Sequence, residues 1–321
     1  MEDYNKQIQE AISGLDWQMQ PANLYQPIEY ILSQGGKRIR PYLCLVANEM
    51  FGGNAQKAII PAIAFEMLHN FTLIHDDIMD KADLRRGKPT VYKQWNTNIA
   101  ILSGDALFAK AFEQMMSYQG TGKEQLLNLL LQTTLEICEG QQLDLDFETQ
   151  QNVQIDEYIK MIRLKTAVML AACLKAGVIV AQADTVQQQL LYDYGIQIGL
   201  AFQIQDDYLD VYADVNKFGK KVGGDIMDNK KTYMSLKAFE LAQEEDYQQL
   251  QKYFSGLHFD KEEKFNNVKA IYDKYEVGKE ALSLVEELYI NSISILDSVN
   301  IAEEKKSELL SFSKRLMYRQ F

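Results

Sequence analysis

The sequence predicts one large all-α domain over residues 1–321, a bundle of about ten or more helices, and three observations carry that expectation. First, all five prolines (Pro21, Pro27, Pro41, Pro61, Pro89) lie in the first 89 residues, and the remaining 232 contain none. A proline costs roughly 3 kcal/mol inside a helix, so its absence permits long uninterrupted helices. Second, Leu, Ala, Gln, Glu, Lys and Ile fill that region, which suits helix rather than strand. Third, apolar residues recur at helical spacing, whereas alternating β-branched runs with Asn-Gly or Asp-Gly turns are missing.

Taken along the chain, Ile59, Ile63, Met67 and Phe71 form one stripe. Leu126, Leu127, Leu130 and Leu131 form a second, and Leu282, Leu284, Val285, Leu288, Ile293 and Leu296 a third. Breaks are expected at Gln34–Pro41, Phe51–Asn54, Arg86–Thr90, Gly120–Gly122 and Lys217–Lys231, with weaker ones at Phe254–Asp260 and near Asn300. No repeat of fixed period, low-complexity linker or composition shift divides the chain. Helices apolar on most faces are expected to fill the core.

Apolar residues at 47% supply a sizeable core, and charged residues at 24% are ordinary for a globular chain. A net charge of -12 argues against nucleic acid or an anionic membrane as the main partner. An anionic substrate stays open, because local basic residues or bound cations reverse the field within a cleft. Cys44, Cys138 and Cys173 are far apart in apolar stretches, as expected of free thiols in a reducing compartment. The first residues lack a basic flank before an apolar run, so no signal peptide is expected. No transmembrane segment is expected either: the nearest apolar run, Thr166–Ala183, is broken by Lys175 and Gly177. The expected location is cytoplasmic.

Two aspartate clusters stand out. Asp76, Asp77 and Asp80 follow Phe71-Thr72-Leu73-Ile74; Asp206, Asp207 and Asp210 follow Ile198-Gly199-Leu200-Ala201-Phe202. On a helix Asp76 and Asp80 share a face, and Gln203, Asp206, Asp207, Asp210 and Asp214 make one polar stripe. Carboxylates held this way suit magnesium, which keeps waters and takes one or two carboxylates plus phosphate oxygens. With 22 aspartates in the chain, chance gives roughly 0.1 copies of Asp-Asp-x-x-Asp, so two copies are informative where one is not. A solvated face would carry interspersed lysines, and these stripes carry none.

Basic segments accompany the clusters: Lys81 with Arg85-Arg86-Gly87, then Lys217 through Lys221 with Lys230 and Lys231, and near the N-terminus Gly35-Gly36-Lys37-Arg38-Ile39-Arg40. Glycines beside Lys and Arg let phosphates approach the backbone, and arginines fork onto their oxygens. Any one segment alone reads as a solvated loop. Three of them with two carboxylate clusters point to a diphosphate-rich substrate.

At these residues the chain resembles the trans-type prenyl-diphosphate synthases, members of the isoprenoid synthase superfamily. The likeness runs over nearly the whole chain. It covers Gly35-Gly36-Lys37-x-x-Arg40-Pro41, Leu73 through Arg86-Gly87, Ser103-Gly104-Asp105, Lys165-Thr166, Phe202-Gln203-x-x-Asp206-Asp207-Tyr208-Leu209-Asp210 and Gly223-Gly224-Asp225-Ile226, in the family's order. It implies helices around a central cavity and a homodimer. It implies further that Asp76 and Asp80 hold two magnesium ions and Asp206 a third. Asp77, Asp207 and Asp210 would order waters and neighbouring cations. Arg85, Lys165, Lys220 or Lys221, and Lys230 would bind an allylic diphosphate. Gly36, Lys37, Arg40, His69 and Arg86 would bind isopentenyl diphosphate, with Thr166 and Gln203 beside the reacting carbons. The family's basic C-terminal tail is matched only loosely, by Lys314, Arg315 and Arg319.

The implied activity is head-to-tail condensation of the two diphosphates. Product length is expected to depend on the apolar wall before the first cluster. Thr72 lies one turn before Asp76, whereas Phe71 is off that stripe by about 140°. Periodicity alone therefore leaves Phe71 as a packed core aromatic. In the family, a bulky residue here without an insertion in the cluster resembles short-chain enzymes. A twenty-carbon geranylgeranyl product is expected ahead of fifteen-carbon farnesyl diphosphate. A terpene cyclase would mix Asn, Ser or Thr with Glu in its second motif and lack the Gly-Gly-Lys-x-x-Arg loop; a head-to-head synthase would more often show Asp-x-x-x-Asp clusters. A non-catalytic regulatory or interaction protein would have lost aspartates, and none is lost here.

Overall fold

The computed structural model describes residues 2–213, 222–255 and 259–317. It is helical almost throughout, as the composition predicts. Contacts cluster into two compact units. The first comprises Met1–Thr134, Met169–Tyr192 and Asn300–Lys305; the second comprises Leu135–Val168, Asp193–Val299 and Lys306–Phe321.

In the first unit, α1 (Glu2–Ser13), α2 (Ala22–Ser33) and α3 (Ile39–Met50) lead to the long α4 (Ala55–Met79). The Asn54 side chain starts α4 by accepting from the Gln56 amide, which satisfies a donor the first turn cannot pair. Ala58, Ala62, Ala64, Phe65 and Leu68 are fully buried on different sides of α4, so this helix is core on most faces. It is also the one helix among the described residues long and apolar enough to cross a membrane, though most of its apolar stretch is buried inside the protein. The helix α3 packs on it, as does α6 (Thr97–Met116), which Asn96 caps through the Ile99 amide. Gly104 lets α6 pass close to α4, because a Cβ there would run into the His75 ring. Gly177, on α9 (Val168–Val180), does the same for α3, where a side chain would strike the Cys44 carbonyl.

Between α4 and the short α5 (Val91–Gln94) lies a feature the sequence does not announce. Strands β1 (Leu84–Arg85) and β2 (Lys88–Pro89) pair antiparallel. Their two-residue turn is Arg86-Gly87, both in the left-handed region with φ 53° and 75°. Arginine takes the place usually filled by Asn or Asp in such turns, so no hairpin signal shows.

The second unit contains the end of α7 (Lys123–Thr149), α8 (Ile155–Ile162), most of α10 (Thr185–Tyr212), α11 (Gly224–Met227), α12 (Tyr233–Leu241), α13 (Glu244–Phe254), α14 (Lys261–Lys274), α15 (Val277–Asp297) and α16 (Glu303–Met317). Between α8 and α9 the helix widens to a π-turn at Arg163–Ala167. Two glycines accept this swollen segment. A Cβ on Gly140 would strike the Lys165 backbone, and one on Gly199 would strike Ala167. The interior breaks at 150–154 and 181–184 and the π-turn escape periodicity, since no proline marks them.

Candidate active site

In the first unit, the last turn of α4 presents Asp76, Asp77 and Asp80 differently. Asp77, one residue round from Asp76, turns inward and is fully buried, while Asp80 ends the helix in solvent. The Arg85 Nε and Nη2 both donate to Asp77 Oδ1, at 2.8 Å each. Its other oxygen, Oδ2, is buried with no protein partner. Burial raises the Asp77 carboxyl above its ordinary value, and Arg85 pulls it back. The hairpin therefore delivers Arg85 to the aspartate cluster.

Its turn residue reaches the N-terminal loop. Arg86 Nη1 donates to the Gly35 carbonyl. Gly36, with φ 127°, leaves the space this guanidinium fills: a Cβ would lie 2.9 Å from its carbon. Arg40 Nη1 lies 3.1 Å from His69 Nε2. Guanidinium can only donate, so Nε2 accepts and the ring proton sits on Nδ1. Burial first, then Arg40, Arg86, Arg85 and Arg38, hold His69 well below its ordinary pKa. The imidazole is thus neutral. Gly36, Arg40, His69 and Arg86 form one neighbourhood, with the exposed Lys37 in the same loop.

Two members of this neighbourhood were given no role by the sequence. Arg38 and Glu66 are 6% and 2% exposed and are ion-paired. Glu66 is the lone acid in the apolar stretch of α4. A single buried carboxylate demands a partner, and that was the available signal.

Phe71 contacts His75 and Phe108 with ring centroids 4.8 and 5.3 Å away, and Phe108 contacts Phe112 at 5.1 Å. Phe71 therefore belongs to an aromatic row shared by α4 and α6. The Thr72 hydroxyl is turned onto its own helix, donating to the His69 carbonyl at 2.8 Å.

In the second unit a pocket of about 110 Å³ is lined by Asp144, Tyr158, Lys165, Thr166, Gln203, Asp207, Asp225, Lys230 and Lys231, among others. The π-turn aims Lys165 and Thr166 into it. Thr166 Oγ1 donates to Gln203 Oε1 at 3.2 Å, and Gln203 Nε2 donates to Asp207 Oδ1 at 3.2 Å. Asp207 Oδ2 accepts from the Tyr158 hydroxyl and, at 3.2 Å, from the Tyr233 amide. This chain fixes which way the Gln203 amide points. Burial and then Asp225 push Asp207 up to about 8, against Tyr158, Gln203 and the Tyr233 amide. Asp210 Oδ2 accepts from the Asp225 amide at 3.0 Å. Burial and Asp210 push Asp225 up to about 6. A site this crowded with carboxylates favours protons until cations arrive.

Lys165 Nζ lies 2.5 Å from Asp144 Oδ2. Lys231 Nζ donates to the Phe147 and Gln150 carbonyls and so closes the end of α7. Of the residues the sequence singled out here, Lys165, Thr166, Gln203, Asp207 and Lys230 share the pocket. Asp210 joins through Asp225, and Asp206 lies on α10 one residue before Asp207. Lys220, Lys221 and Arg319 fall outside the described residues. Asp144 and Tyr158 were missed, because their partners lie 21 and 49 residues away.

Among the described residues no three His, Cys, Asp or Glu side chains gather as a ready-made metal cage. The candidate donors Asp76, Asp80 and Asp206 are carboxylates, and beside the first two the buried Asp77 Oδ2 has no protein partner. Such hard donors in small number fit magnesium, which completes its shell with water and phosphate oxygens.

Residues 21–274 match the polyprenyl synthetase family. The chain is 43% identical over 247 residues to a short chain isoprenyl diphosphate synthase of Methanothermobacter thermautotrophicus, covering 77% of this chain and 75% of that one. It is 42% identical over 235 residues to a geranylgeranyl diphosphate synthase of Methanosarcina mazei, covering 73% and 72%. A crystal structure of a geranylgeranyl pyrophosphate synthase superposes with TM-score 0.94 at 43% identity, covering 100% of this chain and 99% of that one. The carboxylate-lined, helix-built site is that of a prenyltransferase. The chain belongs to the polyprenyl synthetase family, whose members generally depend on a divalent metal.

Proposed function

We propose that this chain condenses isopentenyl diphosphate head-to-tail with an allylic diphosphate, using three magnesium ions, and stops at geranylgeranyl diphosphate. The observation that carries the reading is the pocket in which Lys165, Thr166, Gln203 and Asp207 are fixed side by side by hydrogen bonds. Asp76, Asp80 and Asp206 would hold the metal, which neutralises the charge developing on the departing diphosphate.

The chain's own residues do the rest. Lys165, Lys230 and Arg85 bind the allylic diphosphate and share in stabilising it as the C–O bond breaks. The Thr166 and Gln203 oxygens face the allylic carbons and offer lone-pair density to the cation. Gly36, Lys37, Arg40, Arg86 and neutral His69, donating through Nδ1, hold isopentenyl diphosphate. Its double bond attacks the allylic cation, and the proton lost leaves with pyrophosphate, so no side-chain base is needed. Buried apolar helices keep out water that would quench the cation.

The aromatic row Phe71–Phe108–Phe112 supports a short product, since three rings obstruct an elongating chain more firmly than one. Exposed Ile101, Leu102, Met116 and Leu131 support the homodimer expectation, because apolar side chains of this size gain from a partner surface. Incorporation of labelled isopentenyl diphosphate with farnesyl diphosphate, with magnesium and then with EDTA, tests the function. Turnover that persists in EDTA, or in both Asp76→Ala and Asp206→Ala, contradicts it.

A further inference from the structure

We infer that Glu66 and Arg38 are positioning residues for the isopentenyl diphosphate subsite, tethering the Gly35–Lys37 loop while neutralising the arginines gathered round it. The inference rests on the isopentenyl reading above and concerns two side chains that would not touch the substrate.

Three observations support it. Arg38 stands where the loop becomes α3, in the left-handed region with φ 46°, and is 6% exposed. Its guanidinium donates through Nη1 to Glu66 and through Nη2 to the Leu32 carbonyl. The loop is thereby fastened at once to α4 and to the end of α2. A second fastening, Arg86 to the Gly35 carbonyl, holds its other side.

Glu66 is itself immobilised. One carboxylate oxygen takes Arg38 Nη1 and, at 3.1 Å, Asn70 Nδ2, and Asn70 also donates to the Glu66 carbonyl at 2.8 Å. Its charge reaches further than its hydrogen bonds. Burial depresses Arg40, burial and then the neighbouring Arg38, Arg85 and Arg40 depress Arg86, and in each case Glu66 opposes the shift. It is the counter-charge that lets Arg38, Arg40 and Arg86 assemble before any diphosphate arrives. A site that collects several cations for one anion needs such a partner, or the cations spread apart. Arg38 faces into the protein, so it works on the loop and not on the ligand.

The test is steady-state kinetics of the full chain, with each diphosphate varied in turn, on Glu66→Gln and on the double variant Arg38→Met/Glu66→Leu. The double variant removes both charges together and fills similar volume, which protects folding. In both, KM for isopentenyl diphosphate should rise by about tenfold or more, as misplaced binding groups do. KM for the allylic diphosphate should stay within about twofold, and kcat should change less than the isopentenyl KM. A purely structural ion pair would move both KM values together, and that outcome overturns the inference. So does a double variant with unchanged isopentenyl KM. Lys37→Ala and Arg40→Ala separate the levels: if they too leave isopentenyl KM unchanged, the subsite assignment itself has failed.

Discussion

Arg85 places two of its nitrogens on a single oxygen of Asp77, 2.8 Å from each. The aspartate is buried and the arginine about a quarter exposed. The middle aspartate of the first cluster thus spends one oxygen on a protein cation, while Asp76 is half-buried and Asp80 exposed. Removing one partner of such a pair strands the other. Asp77→Ala should lower unfolding free energy by about 3 kcal/mol, the low end for such a pair because Arg85 is partly exposed. Asp77→Asn, which keeps an acceptor for Arg85, should lose less. Urea denaturation of both variants checks the order, and an Asp77→Ala protein as stable as the parent would show that the pairing contributes nothing.

His69 should make the protein acid-sensitive. Its folded pKa lies well below 6.5 because it is buried among Arg40, Arg86, Arg85 and Arg38, with Glu66 the nearby opposing charge. Below about pH 6.5 the unfolded chain takes up a proton that the folded chain refuses, so stability falls as pH falls. The limiting slope is about 1.4 kcal/mol per pH unit. Between about pH 5 and 6.5 the parent should lose stability on acidification by up to about 1.4 kcal/mol per pH unit more than His69→Gln, whose amide still offers a donor and an acceptor. The difference between the two denaturation curves cancels the opposite slope from Asp207, whose raised carboxyl favours the folded state as pH falls.

Lys230 and Lys231 should separate cleanly. Lys231 closes the end of α7 through two carbonyls, so Lys231→Met should cost about 1–3 kcal/mol of stability through lost charge-assisted bonds. Lys230→Met should chiefly raise KM for the allylic diphosphate. Paired melting and kinetic measurements decide, and the reverse assignment would show in the same data.

Phe71→Ala should lengthen the product, because it opens the aromatic row beside Phe108 and Phe112. Chromatography of the dephosphorylated products should show chains beyond twenty carbons. An unchanged length would remove Phe71 from the wall.

The helical class was legible because long proline-free stretches and apolar periodicity are local properties, and the aspartate clusters because spacing on one helix is local too. Gly36, Arg40, His69 and Arg86 could be named from motifs, yet the cradle that Gly36 leaves for Arg86 depends on a contact across 50 residues. Tyr158, Asp144 and Glu66 stayed hidden for the same reason: each acquires meaning from a distant partner. The hairpin at Arg86-Gly87 was masked by an arginine in a turn position. The π-turn that presents Lys165 and Thr166 is accommodated by Gly140 and Gly199, which no periodicity connects.

The most direct measurement is the chain length made from isopentenyl diphosphate with ten-, fifteen- and twenty-carbon allylic primers in the presence of magnesium. The ten- and fifteen-carbon primers should both end at twenty carbons, and the twenty-carbon primer should be extended poorly or not at all. No incorporation with any primer would contradict the prenyltransferase, and products accumulating beyond twenty carbons would contradict the short aromatic wall.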